Sequence, residues 1–182
     1  MSSEELGRRI GVTPEQIRKD LAGFGAFGKK GVGYHVAELL DNIGTILGLD
    51  CRWNIAIVGV GHLGWALANY RNFESLGFHL AALFDQNPAI VGQIINGVKV
   101  LPVEDLEKSI TDRNIQIGVI AVPAKEAQPM VDRMVAAGTH GIWNFAPVRI
   151  RVPESVQLVS EDLSVGLTTL SYHLRRQSQE AK

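Results

Sequence analysis

The segment NIAIVGVGHLGWALANY, residues 54–70, leaves this chain few choices of fold. Its first seven residues are a near-continuous apolar run, as in a strand buried on both faces, and an Ala/Leu-rich helix follows through Tyr70. Between them stand Gly59, Val60, Gly61, His62, Leu63 and Gly64, the strand, glycine loop and helix pattern that cradles a dinucleotide pyrophosphate. Gly59 allows the sharp turn. Gly61 lets a phosphate approach the backbone N–H groups at the helix start, and Gly64 lets helix and strand pack closely. The glycine spacing alone is weak, but a second apolar run, residues 78–84 (FHLAALF), ends at Asp85, 21 residues after Gly64. That is the spacing of the acid that holds the adenosine ribose hydroxyls. A carboxylate there repels a 2′-phosphate and no Arg follows it, so NADH and NAD+ are expected rather than their phosphorylated forms.

Further strands are predicted at residues 99–101, 115–122, 141–145 and 156–159, with helices near 103–109 and 125–137. Such alternation with short connections implies an α/β fold: a doubly wound parallel sheet of Rossmann type with right-handed crossovers. Val122 and Pro123 end the fourth strand, and Asn144 opens the NFAP turn after the fifth; both turns are expected to border the nicotinamide half. Pro129 should kink or restart its helix.

Ahead of this unit the charge is unevenly placed. The net charge of the whole chain is −1, yet from Gly7 to Tyr34 Arg8, Arg9, Arg18, Lys19, Lys29 and Lys30 face only Glu15 and Asp20. Local basic excess of this kind suits phosphate contact, although a solvated helix surface would look similar. Ser2 and Glu5 form a capping-box pair for a helix over residues 3–10, and Gly11 stops it. Thr13 caps a second helix, Pro14 suits its first position, and Ile17, Leu21 and Phe24 are expected to point inward. Its outer face carries Gln16, Arg18 and Lys19, so the pair reads as a helix-turn-helix. FGAFGKKGVGY, residues 24–34, reads as a β-hairpin with Lys29, Lys30 and Gly31 at its tip, the wing of a winged helix; Thr13 and Tyr34 complete the candidate DNA-facing set. A helix over 36–47, with Leu39, Leu40, Ile43 and Leu47 in one stripe, closes the module, and residues 48–52 form a linker. The expected domains are residues 1–50, 51–160 and 161–182. The last segment is a helix with Asp162 or Ser164 as its cap, whose apolar positions Leu163, Leu167, Leu170 and Leu174 need a partner in the same chain or in a second one.

Several classes are set aside. No apolar run approaches the roughly 20 residues of a membrane span, and MSSEELGRR lacks the order of a signal peptide, so a cytoplasmic protein is expected. Cys51 stands alone, which rules out an internal disulfide or a Cys-rich metal cluster; the five histidines are scattered, and no metal is expected. Little chain remains for a substrate domain, and no Ser/His/Asp or paired-carboxylate spacing suggests catalysis, so a sensor is expected rather than an enzyme. A small NAD-dependent oxidoreductase and a CoA- or nucleotide-binding module are the alternatives.

The motifs SSEELG, VTPEQIRKDL, FGAFGKKGVGY, ILGLD, IVGVGHLGWALANY, FDQNP, AVPAKEAQ, GIWNFAPV and VSEDLSVGLTTLSY follow one another in an order that closely resembles the redox-sensing repressor family Rex. The resemblance implies a homodimer that holds operator DNA when NADH is scarce and leaves it when NADH is bound. It puts Arg18 and Lys19 of the recognition helix and the wing residues Lys29, Lys30 and Gly31 at DNA. It puts Tyr70 and Asp162 in a hydrogen-bond network that senses the cofactor, and makes the final helix one exchanged between subunits. Because burying the charged oxidised ring is far costlier, the reduced ring is expected to enter a dry pocket partly built by the other subunit, near Leu163. The family carries a further helix before SSEELG and an Arg where this chain has Lys30.

Overall fold

Capping chemistry sets the first helices. Ser2 Oγ accepts the Glu5 N–H at 3.1 Å and starts α1 (Ser3–Ile10), and Gly11, at φ 72°, ends it in the left-handed conformation that glycine adopts without strain. Thr13 Oγ1 accepts the Gln16 N–H at 3.2 Å and starts α2 (Pro14–Ala22). Strands β1 (Gly28–Lys29) and β2 (Gly33–Tyr34) pair antiparallel, and α3 (Val36–Ile46) follows. The computed structural model describes residues 1–25, 28, 29 and 32–180, so the hairpin tip at Lys30 and Gly31 lies outside the described residues. These elements belong to the first of two compact units, Met1–Arg52; the second is Trp53–Lys182.

Among the described residues of the first unit, Ile17 and Leu39 are the buried apolar side chains. Phe24, expected inward, lies beyond the helix end and is 62% exposed. Leu40 and Leu47, expected on the α3 stripe, are exposed as well. Among the described residues Leu39 is buried and Ile43 half-buried, and so small a unit has little apolar surface to set against the rest of α3.

The second unit runs β3 (Trp53–Val58), α4 (His62–Ala68), α5 (Asn72–Ser75), β4 (Phe78–Asp85), β5 (Ile94–Ile95), β6 (Val98–Pro102), a 3₁₀ turn, α6 (Leu106–Asp112), β7 (Ile117–Ile120), α7 (Ala124–Ala136), β8 (Gly141–Asn144), β9 (Gln157–Ser160) and α8 (Ser164–Glu180). The strands lie in the order β5-β6-β4-β3-β7-β8-β9. All neighbours are parallel except the β5–β6 hairpin, an antiparallel edge that the sequence pattern did not announce. The strand order reverses between β3 and β7, which opens a crevice at their carboxyl ends.

One face of the sheet packs Val58, Phe84 and Ile120 against Leu106, Ile110, Val131 and Met134 of α6 and α7. The other sets Ile57, Leu83 and Val119 against Ala68 of α4. Each such fully buried side chain contributes about 1.5–3 kcal/mol of transfer free energy. Arg133 clamps α7 to α6 through Glu107, donating from Nε at 2.5 Å and from Nη2 at 2.8 Å, and it also donates to the Val103 carbonyl. The Arg133 hydrogen bonds hold the Glu107 carboxyl down at about 2. Of the kink or restart expected at Pro129, the restart is absent: α7 runs unbroken from Ala124 to Ala136. The proline sits on an exposed position, where the helix forgoes one N–H bond and continues.

Candidate functional site

The crevice is built around Gly59. Its φ of +91° is one that glycine adopts freely, its N–H donates to the Phe84 carbonyl at 2.8 Å, and a Cβ there would lie 2.5 Å from the Ala121 oxygen. A Cβ on Gly64 would lie 1.9 Å from the Gly59 oxygen, so α4 and the loop touch backbone to backbone. Gly61 is the reverse case: its Cβ would meet nothing within 4 Å. Two of the three glycines are therefore demanded by packing, and the third leaves an open floor where a bulky ligand group can lie on the backbone. Val60 is buried under the loop, Leu63 is half-buried, and His62 faces solvent.

Asp85 closes the crevice from β4. It is 8% exposed; Oδ2 accepts the Val60 N–H at 2.7 Å and Oδ1 accepts the Asn87 N–H at 2.8 Å. The carboxylate thus fixes the glycine loop to the end of β4, and each of its oxygens retains acceptor capacity beyond these bonds. The crevice holds a cavity of about 290 Å³, lined by Gly59, Gly61, Asp85, Val122 and Pro123, five of the residues singled out from the sequence. Gln86, Asn87, Ile90, Val103, Glu126 and Met130 also line it and were not singled out. Apolar walls with a carboxylate and an open backbone floor suit an adenosine whose phosphates run along the loop.

Other expected cofactor residues fall elsewhere. Asn144 is 1% exposed and its amide is committed to its own turn: Oδ1 accepts the Ala146 N–H at 2.9 Å, and Nδ2 donates to the Ala146 and Val148 carbonyls. It shapes the turn after β8 and is not among the residues lining the cavity. Leu163 is exposed ahead of α8. Asp162 Oδ1 accepts both the backbone N–H and the hydroxyl of Ser164, which caps α8 and holds the Asp162 carboxyl below its usual range. Tyr70 packs edge-on to Phe73 (4.9 Å), Phe73 meets Trp143 (6.0 Å), and Trp143 Nε1 donates to Glu161, beside Asp162. Tyr70 thus stands at one end of an aromatic ladder, whereas Asp162 makes its own hydrogen bonds to Ser164 and is next in the chain to the ladder's Glu161.

On the same sheet face lies an apolar groove of about 480 Å³, with Phe73, Leu76, Ile117, Trp143 and Val159 in its lining. Leu167, Leu170 and Leu174 of α8 are each at least 60% exposed.

In the first unit Gln16, Arg18 and Lys19 lie on the outer surface of α2. Arg18 also reaches back, donating from Nη1 to Ser3 Oγ at 2.9 Å, so part of its role is to tie α2 to α1. Gln16 Nε2 donates to Asp20 at 2.5 Å. Thr13 is spent as a cap, and the Tyr34 ring lies so near Gly28 that a Cβ there would meet it at 2.9 Å. Lys29 lies in β1. Cys51 is exposed, and the Asp50 carboxylate beside it pushes its thiol up, away from the reactive thiolate.

The family model described as "CoA binding domain" matches residues 50–148, which span the glycine loop, Asp85 and the turn after β8. The redox-sensing transcriptional repressor Rex of Carboxydothermus hydrogenoformans is 47% identical over 176 residues, 97% of this chain and 85% of that protein. The crystal structure of RSP in complex with beta-NAD+ and operator DNA superimposes with a TM-score of 0.94 at 45% identity, covering 100% of this chain and 83% of that one. The complex of RSP with beta-NADH gives a TM-score of 0.87 at 43% identity, with 100% and 86% covered. With near-complete coverage at such identity, this chain belongs to the Rex family of redox-sensing transcriptional repressors.

Proposed function

We propose that this chain is a cytoplasmic repressor that reads the NADH/NAD+ ratio: a homodimer that grips operator duplex when NADH is scarce and releases it when NADH binds. The observation that carries the reading is the pairing, in one chain, of a dinucleotide cradle with a capped helix-turn-helix. Gly61 offers the open floor of the cradle and Asp85 its ribose acceptor. Lys19, Gln16 and Arg18 offer the polar face of a recognition helix. Relatives that are named repressors, with one solved on beta-NAD+ and operator DNA and another time on beta-NADH, support both halves. They also set this chain apart from enzymes of the same fold.

Oxidised nicotinamide carries a positive charge and the reduced ring does not, so an apolar pocket accepts the reduced ring at far lower cost. We assign that pocket to the region between the Val122–Pro123 turn, the Asn144 turn and the partner's Leu163. The dimer is supported by the match of two unfilled surfaces: the exposed leucines of α8 and the apolar groove beside Trp143. Seating α8 of one chain in the groove of another removes both from water and brings Asp162 of one chain toward Tyr70 of its partner.

The test is fluorescence anisotropy of a labelled palindromic duplex with the full chain. NADH is expected to displace the protein at concentrations where NAD+ does not. Equal displacement by the two forms, or none by either, would overturn the reading.

A further inference from the structure

In the lining of the cavity, Gln86, the residue after β4, donates from Nε2 to Glu126 Oε2 on the first turn of α7, at 3.1 Å. Both residues line the cavity, and its charged lining consists of two carboxylates, Asp85 and Glu126. Gln86 holds the position after the ribose acid, where folds of this kind that accept a 2′-phosphate supply an arginine nearby. Here the donor at that place is already committed, and what it brings to the site is a second negative charge. Lys125 Nζ lies 3.8 Å from the other Glu126 oxygen, but its side chain is 82% exposed and it does not line the cavity. Its charge is therefore well screened by solvent.

We infer that Glu126, held in place by Gln86, is a specificity-determining residue that excludes 2′-phosphorylated dinucleotides from this site. The inference rests on the proposed reading of the cavity as a dinucleotide site. Asp85 serves the ribose and the glycine loop together and cannot be varied without loosening the loop. Glu126 adds a second negative charge to that of Asp85, on a side chain 26% exposed that accepts from Gln86 and holds no part of the glycine loop.

Binding of NADH and NADPH to the full chain, followed by the fluorescence of the reduced nicotinamide, tests this with Glu126→Gln and, as a second variant, Glu126→Ala. Removing one carboxylate beside a 2′-phosphate is expected to tighten NADPH about tenfold while NADH moves less than about threefold. The preference of the parent for NADH should also shrink with added salt, and that of the variants should shrink less. Thermal unfolding close to that of the parent shows that the variants are folded. An unchanged NADPH/NADH ratio overturns the inference, and so does equal weakening of both ligands, which would make Glu126 a contact to the adenine base. Failure of the parent to bind NADH at all would instead sink the reading of the cavity.

Discussion

Replacing Asp85 with Ala strips the acceptor from two backbone N–H groups at once, those of Val60 at 2.7 Å and Asn87 at 2.8 Å. Val60 is 4% exposed, so its N–H cannot turn to water, whereas Asn87 lies at the surface and rehydrates. A hydrogen bond to a charged acceptor contributes about 1.5–3 kcal/mol, and an orphaned buried donor adds a desolvation cost of similar size. Counting the Val60 bond in full and the Asn87 bond at a fraction gives a loss of about 2–4 kcal/mol. Asp85→Asn keeps one acceptor oxygen and should lose about half as much. Urea unfolding followed by tryptophan fluorescence isolates the effect, because Trp53, Trp65 and Trp143 all lie in the second unit. NADH affinity should fall in parallel as the glycine loop loses its tie. If Asp85→Ala unfolds within about 0.5 kcal/mol of the parent, the carboxylate does not hold the loop and the geometric reading is wrong.

Three further perturbations have outcomes set by the structure. Gly64→Ala places a methyl 1.9 Å from the Gly59 oxygen, a backbone atom, and should cost about 3 kcal/mol and abolish NADH binding; a thermal midpoint equal to that of the parent would contradict this. Glu107 titrates near 4.5 when unfolded and about 2 when clamped by Arg133, so its contribution is complete above pH 4.5 and is lost as pH falls toward 2. With both side chains partly in water it amounts to about 1 kcal/mol, and Glu107→Gln should flatten the stability profile of the second unit between those pH values. Lys19→Ala should weaken duplex binding and reduce the slope of log affinity against log salt by about 1, with NADH affinity unchanged; an unaltered slope would remove Lys19 from the phosphates.

Much of the fold is local chemistry and was legible for that reason. Ser2 and Thr13 cap the helices they announce, Gly11 ends the first one, and the apolar runs around Val58 and Phe84 become central strands. The glycine loop and Asp85 were legible as a pattern, but not the hydrogen bond that joins them, since Val60 and Asp85 are 25 residues apart. The same holds for Gln86 and Glu126, 40 residues apart, and for the Arg18–Ser3 bond that gives a candidate DNA residue a second task. Asn144 shows the limit of reading turns: an Asn three residues ahead of a proline marks a loop at a strand end, and only the backbone path shows that its amide turns inward to hold that loop. Helical spacing could place Leu40 and Leu47 on a stripe but could not show how little the small first unit has to set against it.

A repressor released by NADH requires coupling between the dinucleotide cavity and the grip on duplex, and linkage makes that coupling reciprocal. The NADH dissociation constant should therefore be measured by calorimetry on the full chain, alone and with saturating palindromic operator duplex. A coupling of about 3 kcal/mol predicts NADH binding weaker by roughly 100-fold in the presence of the duplex. An NADH dissociation constant that is the same with and without duplex would contradict the account.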